Sequence, residues 1–120
     1  MVLAMKLMNC TPHKISIQDF ITRVTFDVPC SGTTIRTRTN SEFDKILELP
    51  SRRHICINKN KDIKITNLPQ EQEDVMLIMS AVTAADIKFL YPERNDIYSP
   101  DEVFRTTNGQ IRYCKSLMQW

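Results

Sequence analysis

Residues 75–79 read VMLIM, a run with no polar side chain. Directly after it comes SAVTAADIKFLYP, which has the marks of a helix. Ser80 has the chemistry of an N-cap, Val82, Ala85 and Phe89 recur on one side, and Pro92 disfavours the helical conformation at Tyr91. A strand apolar on both faces has to be covered on both. This pair of segments therefore constrains the fold more than any other: a central strand in a sheet, with one principal helix laid across it.

The rest of the chain alternates in short bursts. AMKLMNC reads as an opening strand that Thr11 and Pro12 break. In KISIQDF, Ile15 and Ile17 share one side, and in RVTFDVP, Val24, Phe26 and Val28 form an expected core stripe. Pro29 ends that strand, and Ser31-Gly32 supplies a turn signal. TTIRTRTN is a polar strand whose exposed face carries Arg36 and Arg38, while SEFDKILELP fits either a short helix capped by Ser41 or a strand. HICIN and DIKIT read as a hairpin about KNK, NLPQEQED as a loop, and DEVFRTTNGQIRYCKSL as a hairpin turning at Asn108-Gly109. Residues 1–120 are thus expected to form a single compact α+β domain, mostly antiparallel β with one principal helix.

Composition removes several classes of function. An apolar fraction of 42% rules out a largely disordered chain, and a net charge of +2 is too small for a long nucleic-acid footprint. The basic segment RRHICINKNKDIK contains no aromatic residue, unlike a single-strand-binding surface. No stretch is long and apolar enough to cross a membrane, and MVLAMKLMNC lacks the h-region of a secretory signal, so a cytoplasmic location is expected. Cys10, Cys30, Cys56 and Cys114 contain no CxxC pair and read as buried thiols. Without a Walker loop, a Rossmann glycine pattern or a short Cys/His array, no cofactor or metal is assigned.

His13 heads the candidate side chains, since its two ring nitrogens suit a base, a ligand contact or a bond that fixes the Thr11-Pro12-His13 turn. A nucleophile built from Cys114 and His13 has no third group to orient it, and Cys114 sits in an alternating strand that favours the core; no catalytic residue is assigned. Arg94, Arg105 and Arg112 are candidate anion contacts, read either as a shared pocket or as solvated charges with a local Arg94–Asp96 contact. Tyr91 and Tyr98 are candidates for stacking on a base, and packing explains them equally.

Two blocks carry a family resemblance. CTPHKISI resembles the NLTPHxIxI opening of small bacteriophage-associated proteins, and LIMSAVTAADIKFLYPERNDIYSPDEVFRTTNGQIRYCKSL is similar to their ending. The matching positions include Ser80, Val82, Arg94, Asp96, Pro100, Gly109, Ile111, Cys114, Ser116 and Leu117. Cys10 stands where that pattern has Leu, Tyr113-Cys114-Lys115 where it has Gly-Cys-Arg, and Ser31 to Pro69 matches poorly. The resemblance implies a bacteriophage context and no established enzyme reaction; joined to the absence of a catalytic constellation, it leads to the expectation of a phage anti-defence protein working in the cytoplasm of an infected bacterium. The expected activity is non-catalytic sequestration of a nucleotide-derived immune signal, such as a cyclic dinucleotide or a cyclic ADP-ribose-type molecule, with a homo-oligomer enclosing it. The competing readings are a direct protein-binding inhibitor of a host defence protein, a small hydrolase, and an accessory phage protein.

Overall fold

The computed structural model describes residues 5–120, with the backbone alone at Lys61. The strands are β1 (Lys6–Asn9), β2 (Ile15–Gln18), β3 (Thr25–Val28), β4 (Arg36–Glu48), β5 (His54–Thr66), β6 (Val75–Ile78), β7 (Ile97–Arg105) and β8 (Ile111–Gln119). One helix, α1 (Ala81–Leu90), sits between β6 and β7. Ala4, expected in the first strand, lies outside the described residues.

Six strands form one sheet in the order β1-β6-β7-β8-β2-β3. Its pairings are mixed: β1–β6, β6–β7 and β2–β8 run parallel, β7–β8 and β2–β3 antiparallel. The two edges of this sheet meet. A parallel bridge joins Asn9, at the end of β1, to Cys30, just past β3. One hydrophobic cluster draws Ile17, Val28, Ile78 and Cys114 together with Leu7, Val103 and Leu117, so all six strands contribute to it. A face that gathers residues from every strand is a concave interior, and the sheet is a partly closed barrel.

Period-two alternation sends the intervening residues outward. Leu77 and Met79 flank Ile78 and join Cys10, Ile35, Ala84, Ile87 and Ile97 in a second cluster outside the barrel. The helix covers that cluster with Ala84 and Ile87. The stripe Val82, Ala85 and Phe89 is the opposite face: Val82 is 74% and Phe89 77% exposed. Helical spacing identifies a face without saying which way it points. Likewise, Val28 alone is buried on β3, an edge strand, while Phe26 and the preceding Val24 are exposed.

The largest departure from expectation is in the middle of the chain. Most of TTIRTRTN and KILEL falls in one continuous 13-residue strand, Arg36–Glu48, and HICIN-KNK-DIKIT forms another. They pair with each other antiparallel from Arg36↔Thr66 to Glu48↔His54. KNK does not reverse the chain: the ladder with β4 continues across it, with a one-residue register shift between Asn40↔Asp62 and Ser41↔Asn60. The reversal falls at Leu49–Arg53 instead, where Arg52 adopts φ 63° and the Leu49 amide donates to the Arg53 carbonyl at 2.8 Å. SEFDKILELP is therefore strand and turn, not helix.

This ribbon is an arm roughly 43 Å long at the usual rise per residue. It gives the molecule extents of 59 × 37 × 28 Å and a radius of gyration of 18.3 Å, against about 14 Å for a compact chain of this length. Cys30 and Cys56 are exposed rather than buried, whereas Cys10 and Cys114 are core residues. Among the described residues, no helix is long and apolar enough to cross a membrane.

Candidate functional site

The site begins with Asn9, which is 1% exposed and uses its whole side chain. Its Nδ2 donates to the carbonyls of His13 (2.7 Å) and Val28 (3.0 Å). Its Oδ1 accepts from the Thr11 amide (3.0 Å) and the Thr11 hydroxyl (2.6 Å). Its carbonyl accepts from both the amide and the hydroxyl of Ser31. One buried amide thus fixes the Thr11-Pro12-His13 turn against the end of β3.

The next residue ties in the arm. The Cys10 amide donates to Ile78 and its carbonyl accepts from Ile35, at 2.9 and 3.1 Å, so the foot of β4 is stitched to the end of β1. Between that foot, the Thr11-Pro12 turn and the start of α1 lies a cleft of about 570 Å³. Its volume is in the range of small-molecule sites. Cys10, Ile35 and Met79 are buried and lie at its base, and burial pushes the Cys10 thiol up, so it stays protonated near neutral pH.

The polar lining is cationic. In the regular register at the foot of the arm, Arg36 lies opposite Thr66 and Arg38 opposite Lys64. Opposed residues and residues two apart share a face, so Arg36, Arg38, Lys64 and Thr66 present together. All four line the cleft. Among the described residues, none of the three cations pairs with a carboxylate; Asp62, the next acid along the same face, bridges none of them. Two like charges directly opposite on a ladder cost stability. Arg36, Arg38 and Lys64 are all exposed, so solvent screens much of their mutual repulsion.

The far wall is the N-terminus of α1. Ser80 caps it, with its hydroxyl accepting from the Thr83 amide at 3.3 Å, and the first turn carries no acidic residue. Ser80 and Thr83 face the cleft with Thr11 and Thr34. The positive end of the helix dipole and the hydroxyl donors therefore add to the field of the three cations. No aromatic residue lines the cleft. Its described lining is cationic and hydroxyl-rich, with no aromatic ring for stacking a base.

The residues singled out from sequence lie elsewhere. His13 is exposed, one residue beyond the cleft-lining Pro12, and its backbone carbonyl serves Asn9. Arg94 and Tyr91 come together in the turn after α1, where the Arg94 amide donates to the Tyr91 carbonyl at 3.2 Å. The Arg94 guanidinium is buried and bidentate on Asp96 (3.0 and 2.7 Å), with a third bond to the Pro69 carbonyl at 2.9 Å. The bonds it donates to Asp96 raise its pKa above the ordinary arginine value. Tyr98 borders a small groove of about 190 Å³ beside Glu71, Glu73 and Asp96, an acidic setting. Arg105 and Arg112 flank the β7–β8 turn, where Arg105 donates to the Gly109 carbonyl at 3.0 Å and Arg112 is exposed. Cys114 is fully buried in the barrel, and burial pushes its thiol up, away from nucleophilic chemistry.

Arg36, Arg38 and Lys64 are visible in the sequence as alternating polar positions, but their convergence depends on a strand register that periodicity does not fix. No group of three or more His, Cys, Asp or Glu among the described residues is placed to hold a metal ion. Compared with known proteins, the chain matches no family model, no curated protein and no solved structure.

Proposed function

We propose that the chain is a non-catalytic anti-defence protein of bacteriophage origin that sequesters a nucleotide-derived immune signal in the host cytoplasm. The ligand class is a cyclic dinucleotide or a cyclic ADP-ribose-type molecule. One observation carries the reading: Arg36, Arg38 and Lys64 line a cleft at the N-terminus of α1 with no carboxylate bridging them. Phosphate groups neutralise such a cluster, and the guanidinium forks of Arg36 and Arg38 match phosphate oxygens in pairs. The threonine and serine hydroxyls around them suit the ribose and the remaining phosphate oxygens. The phage origin rests on the TPH opening and the C-terminal block.

Native mass spectrometry after incubation with a panel of cyclic nucleotides tests this reading. The expected result is an intact ligand retained at a fixed ratio and lost in Arg38→Ala and Lys64→Ala. A ligand of changed mass overturns sequestration in favour of turnover. No adduct from the whole panel overturns nucleotide binding and leaves direct inhibition of a host protein.

A further inference from the structure

The distal half of the arm carries apolar side chains that nothing in the chain covers. Phe43 is 63% and Ile46 61% exposed, and Leu47 and Ile55 are exposed as well. A two-stranded ribbon has no third strand or helix to protect either face, and such ribbons are marginal in water alone. The whole chain exposes 9013 Å², whereas a compact monomer of 14.0 kDa exposes about 6,700 Å². The excess is larger than the roughly 800 Å² that each partner buries in a standard protein interface.

The sequence of β4 indicates what covers it. Phe43-Asp44-Lys45-Ile46 reads apolar, acidic, basic, apolar, and so complements itself when two copies run antiparallel. The local backbone supports this. The register skips Asp44, so Phe43 lies opposite Asn58 and Ile46 opposite Cys56. Asn58 and Cys56 are two apart, which places Phe43 and Ile46 on one face although they are three apart in sequence. The other strand is more basic: β5 carries Lys59, Lys61 and Lys64 against Asp62.

We propose that the arm is a dimerisation element. Two copies of the chain meet antiparallel along β4 about a two-fold axis at the Asp44–Lys45 step, and Phe43 of each covers Ile46 of the other. Asp44, already held by Lys59 at 3.5 Å and Lys45 at 4.0 Å, then also faces Lys45 of the other copy. The contact is isologous and closes on itself. It stands apart from the cleft and does not depend on which ligand the cleft takes.

Sedimentation equilibrium of the full chain and two variants tests the pairing. The wild type is expected to be a dimer at micromolar concentration. Phe43→Asp and Ile46→Lys should each raise the dissociation constant about 30-fold or more, as loss of a central apolar contact does. Mixing the two variants should restore a dimer, because the heterodimer sets the new carboxylate against the new ammonium and keeps one native Phe43–Ile46 contact. Trp120 packs on the body and donates to the Ser99 hydroxyl at 2.9 Å, so its fluorescence reports whether each variant keeps the fold. Amide exchange of wild-type residues 42–47 gives a readout free of substitution: protection should fall on dilution. A monomeric wild type, an oligomer indifferent to both substitutions, folded variants that stay monomeric when mixed, or concentration-independent protection would each overturn the proposal.

Discussion

Asn9 Nδ2 donates a 3.0 Å hydrogen bond to the carbonyl of Val28, and through it one edge strand of the sheet holds the other. The same side chain serves His13 and Thr11, so its loss removes one buried and three part-buried hydrogen bonds at once. Asn9→Ala is expected to destabilise the fold by about 3 kcal/mol, since each buried group left without a partner carries its own desolvation cost. Urea unfolding of the two proteins measures this. A change well under 1 kcal/mol would mean the edges are held mainly by the ladder and by packing.

Arg94 is predicted to matter for stability and not for ligand capture. Its guanidinium is buried on Asp96, and Arg94→Ala leaves that carboxylate without its partner. The expected loss is about 3 kcal/mol or more, as for other broken buried pairs. The folded fraction should still retain ligand in native mass spectra. Loss of binding at full folding would move Arg94 into the site.

At the cleft the sign reverses. Lys64→Gln removes one of two like charges directly opposed across β4 and β5. The ligand-free thermal midpoint should stay within about 2 °C of wild type and rise if it moves, while ligand binding weakens at least about tenfold. Differential scanning calorimetry with and without ligand separates the two effects. A marked fall in the ligand-free midpoint would show that Lys64 supports the arm instead.

Thiol chemistry should divide the four cysteines into pairs. Cys30 and Cys56 are exposed, whereas Cys10 and Cys114 are buried with thiols pushed up by desolvation. Iodoacetamide at neutral pH should label the first pair in the native protein and the second only after unfolding. If the arm dimerises, Cys56, which shares the face of Ile46, should label faster in Phe43→Asp than in wild type.

Acid should loosen the β2–β3 hairpin first. Backbone amides of Thr22 and Ile21 hold the Asp19 carboxyl below the ordinary carboxylate range, and the Ser16 hydroxyl, then Lys14, do the same for Asp27. A pKa lowered by folding contributes stability above the unfolded value that is lost as pH falls through the folded one. Protection of the Ile21 and Thr22 amides should therefore be intact at pH 5 and fade below about pH 4. Unchanged exchange down to pH 2 would show that the turn is held without its carboxylates.

The readable parts of this fold share one property: their signals are local. Val75–Ile78 had to be a covered strand because no residue in it tolerates water, Ser80 had to cap, and Asn108-Gly109 had to turn, with Gly109 at φ 87°. KNK misled because its polarity and Asn60 resemble a turn, whereas the ladder with β4 continues across it with a register shift. Val24 and Phe26 misled because alternation marks a face and not whether a neighbouring element reaches it. The cleft was the least legible feature. Arg38 and Lys64 are 26 positions apart, and the register that opposes them depends on the turn at Leu49–Arg53, which Pro50-Ser51 mark as a break without fixing the pairing that follows.

Arg36 and Thr66 sit side by side where the arm leaves the body. The intervening chain is thus an excursion whose two ends coincide, and the barrel does not depend on its length. Lengthening or trimming β4 and β5 in matched steps would alter the limb's reach and the residues along it while the ends at Ile35 and Asn67 stayed in place. The cationic foot belongs to the fixed part and the FDKI segment to the variable part. A lineage carrying this fold could exchange its self-association partner without rebuilding the place where phosphate would bind.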